Sequence, residues 1–349
     1  MLLFHNDYNE ACHPAVLAKL NEAAGKQIHG YGIDPYCANA VQLIRKKCGS
    51  ENIAVHFLVG GTQTNLTVIS AALRPHQAVI SADFGHVNVH ETGAIEATGH
   101  KIIQIPPNEG KISAHQVEKV YLAQSLSEDA EHIAQPKLVY ISNPTEVGTT
   151  YSLAELTALH EVCEKYGLYL FVDGARLGYA LASAGYDVTL ADLARLTDVF
   201  YIGGTKVGTM FGEAVVISNP AIAEDFRYLM KQRGGMLAKG WLLGLQFEAL
   251  FENDLYFNIS KHADELADHL RNSLQKLGYP LVGMNRTNQV FVVLPNALLN
   301  ELAKDYTYAI WERYDDAHTL VRFCTSWATT FESVDALCST LQKLTQAQH

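Results

Sequence analysis

Residues 55–217 alternate between short apolar runs and amphipathic stretches, and this alternation restricts the fold more than any other feature. Such a pattern is typical of strands that alternate with helices. Seven strands are predicted, at Val55–Val59, Ala78–Ala82, Lys101–Ile105, Leu138–Ser142, Leu168–Val172, Val199–Ile202 and Ala214–Ile217. Helices are predicted between them, at Thr64–Leu73, His86–Ala97, Ala114–Leu126, Leu153–Tyr166 and Leu190–Leu196. We expect an α/β fold with a mainly parallel seven-stranded sheet, whose ligands sit beyond the C-terminal ends of the strands.

The pattern changes after Pro220 and predicts a smaller α+β domain at the C-terminal end. Its predicted elements are helices at Trp241–Phe251 and His262–Leu277, strands at Val290–Leu294 and Leu320–Cys324, and a last helix near Ser333–Leu344. We predict that residues 1–30 pack on this small domain, that residues 31–240 form the large domain, and that residues 241–349 form the small one.

Composition narrows the class of protein. Hydrophobic residues make up 48% of the 349 residues and charged residues 18%, which is enough apolar material for a large core. The formal net charge is −11, and the only basic run is Arg45–Lys47, so no nucleic acid partner is expected. The six cysteines form no CxxC pair, which favours reduced thiols, and the apolar runs are too short to span a bilayer. No N-terminal signal is visible, and we expect a soluble, cytoplasmic protein.

An acid and a lysine follow two of the predicted strands. Asp173 ends the strand Leu168–Val172, and Lys206 follows Val199–Ile202. Each has an ordinary interpretation, Asp173 as a turn or helix cap and Lys206 as an exposed loop residue. Together they are the pair that pyridoxal phosphate requires, a carboxylate that keeps the pyridine nitrogen protonated and a lysine that forms a Schiff base.

A glycine turn before a helix supplies a candidate phosphate site. The strand Val55–Val59 is followed by Gly60, Gly61, Thr62 and Gln63, and the next helix starts there. Glycines allow the backbone to approach an anion, and a helix N-terminus offers free N–H groups. The turn is common in proteins and lacks the dinucleotide-binding glycine spacing, so its signal is weak without the other residues.

His86 follows the second strand, where an imidazole could lie on a planar cofactor or act as a base. His86 and His90 are four residues apart with Glu91 beside them, so a metal site is the alternative. A third ligand with helical spacing is missing, and we predict no metal. His90 is more simply explained as a surface or capping histidine.

These motifs occur in the order that is seen in the threonine aldolase family. The chain resembles that family in GGTQTN (residues 60–65), the segment around His86, NPTEVG (143–148), VDGAR (172–176) and GGTK (203–206). The resemblance extends from residue 5 to residue 327. It implies a fold-type I pyridoxal-phosphate enzyme, which cleaves β-hydroxy-α-amino acids to glycine and an aldehyde.

The resemblance also implies a role for each matching residue. Gly61, Thr62 and Gln63 would bind the cofactor phosphate, with Thr205 beside the lysine. His86 would stack on the pyridine ring, Asp173 would pair with its nitrogen, and Lys206 would carry the Schiff base. The substrate carboxylate would be held by Arg176, which also borders the cofactor, and by Arg322, while Asn6 and Tyr31 would line the substrate pocket.

Three departures from the common pattern concern the substrate. Residues 5–8 read HNDY, Thr205 replaces a serine, and Thr145-Glu146 replaces a His-Asn pair. The segments 145–148 and 325–329 are similar to a branch that includes phenylserine aldolases. We expect a lyase acting on L-β-hydroxy-α-amino acids of the threonine, allo-threonine or phenylserine type, with His86 acting through a water as one candidate base. An aminotransferase or β-eliminating lyase on the same scaffold, or a catalytically idle binding protein, is the alternative.

The segment 231–239 is cationic and rich in glycine, which makes it a poor core element. It resembles a family loop that carries basic residues to the neighbouring active site, although it is shifted and has one glycine fewer. We therefore predict a homodimer or homotetramer with shared sites, in which Arg233 and Lys239 reach the cofactor of the next subunit. An exposed basic loop without a ligand is the alternative.

Overall fold

The computed structural model describes residues 1–283 and 286–347. The strands are β1 Leu2–Leu3, β2 Ala54–Leu58, β3 Gln77–Ala82, β4 Ile102–Ile105, β5 Gln135–Ser142, β6 Tyr169–Asp173, β7 Val199–Gly203, β8 Glu213–Ile217, β9 Gln289–Pro295, β10 Tyr306–Thr307, β11 Ala309–Arg313 and β12 His318–Cys324. The helices are α1 Pro14–Ala23, α2 Pro35–Cys48, α3 Gly61–Ala72, α4 His86–Val89, α5 Ala114–Ser125, α6 Leu153–Tyr166, α7 Leu177–Ala182, α8 Leu190–Leu196, α9 Pro220–Ala223, α10 Phe226–Gln232, α11 Trp241–Phe251, α12 Leu255–Lys276, α13 Asn296–Leu302 and α14 Phe331–Gln346.

The seven predicted strands of the large domain form one sheet in the order β2-β8-β7-β6-β5-β3-β4. All its pairings are parallel except those of β8, which runs antiparallel to both β2 and β7. β3, β7 and β8 are buried at every position, as expected for strands covered on both faces. The predicted fold class is confirmed, and β6, β7 and β5 lie side by side at the centre.

Alternate residues of the central strands supply two separate cores. On β6, Leu170 and Val172 join the core beneath α2, α6, α8 and α11, whereas Phe171 joins the core beneath α3, α9 and α10. β7 divides in the same way, with Phe200 on the first face and Tyr201 on the second. Both faces of these strands are thus packed against apolar side chains, and the charged Asp173 lies at the end of β6.

Local signals fix where the helices begin and end. Capping boxes start α5, α6 and α8, and Asp34 caps α2 ahead of a proline. The predicted helix at His86–Ala97 is wrong beyond its first turn, because α4 stops at Val89. Thr92 and Gly93 both have positive φ values there, of 52° and 70°, which a helix does not accommodate.

The C-terminal part contains a three-stranded antiparallel sheet, in the order β11-β12-β9, with its own core against α12, α13 and α14. The N-terminal strand β1 pairs with β10, and the Cys324 backbone N–H donates to the carbonyl oxygen of Phe4. α11 packs on α2, inside the large core, although the sequence assigns it to the small domain. The domain bounds remain a prediction, and residues 348 and 349 lie outside the described part.

Within the described residues, no helix combines the length and apolar character needed to cross a membrane. All six cysteines are buried and unpaired.

Candidate active site

Asp173 is the centre of the site, at the C-terminal end of β6, and it is only 4% exposed. The flanking strands each supply a tyrosine: the hydroxyl of Tyr201 donates to Oδ1 at 2.5 Å, and that of Tyr140 donates to Oδ2 at 2.5 Å. The amide of Asn65 and the backbone N–H of Ala175 also donate, at 3.1 and 3.0 Å. Burial alone would raise the pKa of Asp173, but the charge of the nearby imidazole and these bonds outweigh it and lower the pKa.

Lys206 follows β7, next to the end of β6. The two strand ends approach closely because Gly174 and Gly203 lack side chains: a Cβ on Gly174 would lie 1.8 Å from the Tyr201 carbonyl oxygen, and one on Gly203 would lie 2.3 Å from that of Ala175. The hydroxyl of Tyr179 donates to the Lys206 carbonyl at 2.6 Å and fixes its backbone.

Burial and the charge of Arg176 lower the pKa of Lys206, against the opposing effect of Asp7, Asp173 and Glu213. Glu213 begins β8 and is 3% exposed, and it accepts the Gly204 N–H at 3.0 Å. Burial raises the pKa of Glu213. The amine therefore lies in a setting that favours its neutral, nucleophilic form.

His86 starts α4 and is oriented by a buried carboxylate. Its Nδ1 lies 2.7 Å from Oε1 of Glu91, which also accepts the Asn65 amide at 2.7 Å, so a chain of hydrogen bonds links His86 to Asp173. Burial lowers the pKa of His86, but the bond to Glu91 and the charges of Asp173 and Glu91 prevail and raise it. The described residues contain no group of three or more potential metal ligands.

Arg176 is paired with an acid from the N-terminal segment. Its Nε and Nη2 donate to Asp7 at 2.7 and 3.0 Å, and the amide of Asn288 donates to the same carboxylate at 2.8 Å. Arg322, on β12, donates to Gln289 at 3.0 Å, while its buried Nε has no hydrogen-bond partner in the described part of the chain. That free donor suits a carboxylate ligand.

The side chains above border one cleft. Its inner part, a cavity of about 320 Å³, is lined by Gly61, Thr62, Asp173, Thr205 and Lys206. Its outer part, of about 540 Å³, is lined by Arg322, Trp311 and Ile310. Both parts share Tyr8, His86, Glu146, Arg176 and Lys206. A larger cavity of about 590 Å³ lies against α2, but the strand-end charges converge on the cleft, which we take as the site.

Five predicted site residues are not brought to this cleft. The amide of Gln63 is bonded to the backbone of Val59 and Arg233, and the oxygen of Asn6 accepts the Tyr8 N–H at 3.1 Å. Tyr31 lines the larger cavity instead. Arg233 donates to Ser70 at 3.2 Å, and Lys239 is exposed.

From the sequence, no cofactor-binding or substrate-binding role is predicted for several residues that shape the site. These are Asp7, Asn65, Glu91, Tyr140, Tyr201 and Glu213, together with Tyr8, which lines both parts of the cleft. Tyr140 and Tyr201 left a signal, since each is a polar-tipped residue inside an apolar strand beside the strand that ends in Asp173.

Comparison with known proteins identifies the family and the fold. Residues 13–297 match the family described as beta-eliminating lyase. The structure superposes on a threonine aldolase from Leishmania major with a TM-score of 0.96, at 45% identity, over 99% of this chain and 100% of the other. The chain belongs to the beta-eliminating lyase family, among the threonine aldolases. The predicted family and the carbon–carbon lyase class are thereby confirmed.

Two further relatives extend the comparison. The low-specificity L-threonine aldolase of Pseudomonas aeruginosa is 29% identical over 95% of this chain and 94% of its own length. An aspartate aminotransferase from Thermus thermophilus covers 99% of this chain and 91% of its own at 15% identity, with a TM-score of 0.72. The second likeness shows the fold alone, that of the fold-type I pyridoxal-phosphate enzymes, and the family implies pyridoxal phosphate as the cofactor.

Proposed function

We propose that this protein is a pyridoxal-phosphate-dependent aldolase that cleaves L-β-hydroxy-α-amino acids into glycine and an aldehyde. One observation carries the proposal: the Lys206 amine and the hydrogen-bonded Asp173 carboxylate stand at the ends of adjacent strands and border the same cleft. Membership of the threonine aldolase group supports the substrate class.

The residues of the cleft fit the cofactor. Gly61 and Thr62 place the N-terminal N–H groups of α3 where a phosphate can bind, and His86 faces the same cavity. Asp173, ionised by its four donors, suits a protonated pyridine nitrogen, and Lys206 suits the aldehyde carbon. When bound, the cofactor supplies a conjugated system that receives the electrons of a bond broken at the substrate α-carbon.

The remaining charges orient the substrate. Arg322 binds the substrate carboxylate through its free Nε, supported by the ring of Trp311, whose centroid lies 5.5 Å from the guanidinium carbon. Arg176 adds positive charge beside it, partly neutralised by Asp7. A substrate whose carboxylate is held on this side would place its β-carbon and β-hydroxyl in the outer part of the cleft.

The mouth of the cleft accommodates the β-substituent. Ile310 is 74% exposed, and Trp311 is the extra residue of a bulge in β11, which turns both side chains toward the opening. Tyr8 and His90 border the same space. This wall can receive a methyl group or an aromatic ring, so the substrates proposed are of the threonine, allo-threonine and phenylserine types.

We further propose a homodimer or homotetramer with shared sites. Tyr31, Arg233 and Lys239 lie outside the cleft of their own chain, and Tyr31 borders the larger cavity against α2. That cavity is lined largely by apolar residues and is a suitable place for another subunit to dock. The six buried thiols support a reducing, cytoplasmic location.

Borohydride reduction followed by peptide mapping tests the core of the proposal. The label is expected on Lys206, and Lys206→Ala should lose both the label and turnover. A label on any other lysine would contradict the assignment. A panel of β-hydroxy amino acids, assayed for glycine, aldehyde and keto acid, separates an aldolase from an aminotransferase, a β-eliminating lyase and an idle binding protein.

A further inference from the structure

One carboxyl group in the cleft, that of Glu146, is assigned neither to the cofactor nor to the substrate carboxylate. Glu146 lies in the loop that follows β5, and its side chain borders both the inner and the outer cavity. Its Oε1 accepts the backbone N–H of His86 at 2.9 Å and the hydroxyl of Ser142 at 2.7 Å. It makes no ion pair within the described residues. A carboxylate turned into an active-site cleft without a cation is unusual unless it has a chemical function.

Several hydrogen bonds stabilise the loop that carries Glu146. The Thr145 N–H donates to the Thr149 carbonyl at 2.8 Å, the Gly148 N–H donates back to Thr145 at 2.9 Å, and the two threonine hydroxyls lie 2.7 Å apart. Thr287 of the small domain donates to the Gly148 carbonyl at 3.1 Å. These bonds hold the carboxylate in one place, as proton transfer at a defined atom requires.

The position of Glu146 relative to the sheet determines which part of a substrate its carboxylate can reach. Lys206 follows β7, Asp173 ends β6, Glu146 follows β5 and His86 follows β3, in the spatial order of the strands. Glu146 is therefore separated from Lys206 by the Asp173 strand, and it borders the outer cavity together with Arg322 and Trp311. That outer cavity is the one assigned above to the β-substituent.

We propose that Glu146 is the catalytic base that removes the proton from the substrate β-hydroxyl, an inference that rests on the aldolase function proposed above. The hydroxyl proton passes to the carboxylate, and the O–H bonding pair becomes the second bond of the aldehyde carbonyl. The Cα–Cβ bond breaks, and its electron pair stays with the glycine fragment, whose Cα then takes up one proton. Glu146 returns its own proton to solvent.

The directions of the pKa shifts favour Glu146 over His86 as the base. Burial raises the pKa of Glu146, as does the charge of Asp173, although the bonds from Ser142 and the His86 N–H oppose this. The carboxylate is thus more basic than an ordinary glutamate. His86 has a raised pKa and is hydrogen-bonded to Glu91, so its ring already tends to hold a proton.

Other titratable and charged groups also surround Glu146. Arg176, Lys206, His90 and Tyr8 border the same cavities. Asp173, Tyr201 and Glu213 also border the inner cavity. Tyr140 on β5 and Tyr151 just before α6 lie near Glu146, whose charge contributes to raising the pKa of both phenols. The rate should therefore fall on the acid side as Glu146 takes up a proton.

The test compares Glu146→Gln with the wild-type holoenzyme. Cleavage of a β-hydroxy amino acid should slow by at least ~10²-fold, and the acidic limb of the kcat/KM profile should disappear. Glycine has no β-hydroxyl, so its affinity, measured by absorbance titration of the holoenzyme, should change less than ~3-fold. Ser142→Ala removes a bond that lowers the pKa of Glu146, so its acidic limb should move to higher pH. Glu164→Gln, at a side chain 72% exposed, is the matched control.

Three results would overturn the proposal. The first is a Glu146→Gln variant that cleaves the substrate at a rate within ~3-fold of wild type. The second is a Glu146→Gln variant that loses glycine binding along with cleavage, which would indicate a structural role. The third is a Ser142→Ala variant whose acidic limb stays at the wild-type pH. A wild-type enzyme that yields no glycine and aldehyde is a separate result, because it refutes the aldolase function and the base assignment together.

Discussion

The ion pair between Asp7 and Arg176 makes a quantitative prediction. Burial raises the pKa of Asp7, but the charges of Arg176 and Lys206 and the bonds from Arg176 and Asn288 outweigh it and hold the pKa at about 2, against an ordinary 3.8. At neutral pH this depression of the pKa corresponds to roughly 2 kcal/mol of stability. Since Asp7→Asn also leaves the mostly buried guanidinium of Arg176 unpaired, we expect the free energy of unfolding to fall by about 3–5 kcal/mol.

The lowered pKa of Asp7 also predicts how its contribution to stability changes with pH. A carboxyl whose folded-state pKa is depressed stabilises the protein above its unfolded pKa, and this stability is lost as pH falls from about 4 toward about 2. The difference in free energy of unfolding between the wild type and Asp7→Asn, called the deficit here, should therefore be constant from pH 7 to pH 5. It should become smaller below pH 4. Urea unfolding at one fixed protein concentration measures it, with Asp316→Asn, 98% exposed, as the control.

A double variant completes the experiment. Asp7→Asn combined with Arg176→Met removes both charges, so it should be less destabilised than the sum of the two single variants. The reasoning is refuted by a deficit below about 0.5 kcal/mol at pH 7, or by additive effects of the two substitutions. A deficit that stays unchanged down to pH 3 would also contradict it.

Three further predictions concern function. Asp173→Asn should keep the fold but slow cleavage by at least ~10²-fold, roughly 3 kcal/mol, because a neutral amide does not stabilise a pyridinium proton; near-normal turnover would contradict this. Arg322→Lys should raise KM for the amino acid far more than it weakens cofactor binding, since lysine lacks the planar fork, and the reverse pattern would reassign the residue. Changing Arg233 and Lys239 to alanine should weaken cofactor affinity without changing the mass in solution; a fully active monomer would refute shared sites.

The sheet could be predicted from sequence because it depends on a signal that local composition carries. Strands buried on both faces appear as short continuous apolar runs, and all seven were found within a few residues of their observed bounds. The juxtaposition of Asp173 and Lys206 followed, because the C-terminal ends of neighbouring parallel strands meet at one edge. The error at His86–Ala97 arose where Thr92 and Gly93 adopt positive φ values within a pattern that otherwise favours a helix.

What the sequence could not supply is the set of partners that neutralise or orient the charged groups. Asp7 meets Arg176 across 169 positions of the chain, and Asn65 meets Asp173 across 108. No spacing rule connects such residues, because their distance is set by the packing of the N-terminal segment and α3 on the sheet. The sequence could show that Arg176 is present, but not that Asp7 occupies two of its donors.

The direction in which a side chain points matters as much as its position in the sequence, and the glycine turn is an example. Gly61, Thr62 and Gln63 are consecutive, yet only the first two border the cleft. Successive residues of a helix point about 100° apart, so the Gln63 side chain turns away and its amide binds the backbone of Val59 and Arg233 instead. The same bond ties the basic loop to the start of α3. Gln63 therefore connects the proposed phosphate-binding turn to the segment through which a second subunit is proposed to act, so a change in either should affect the other.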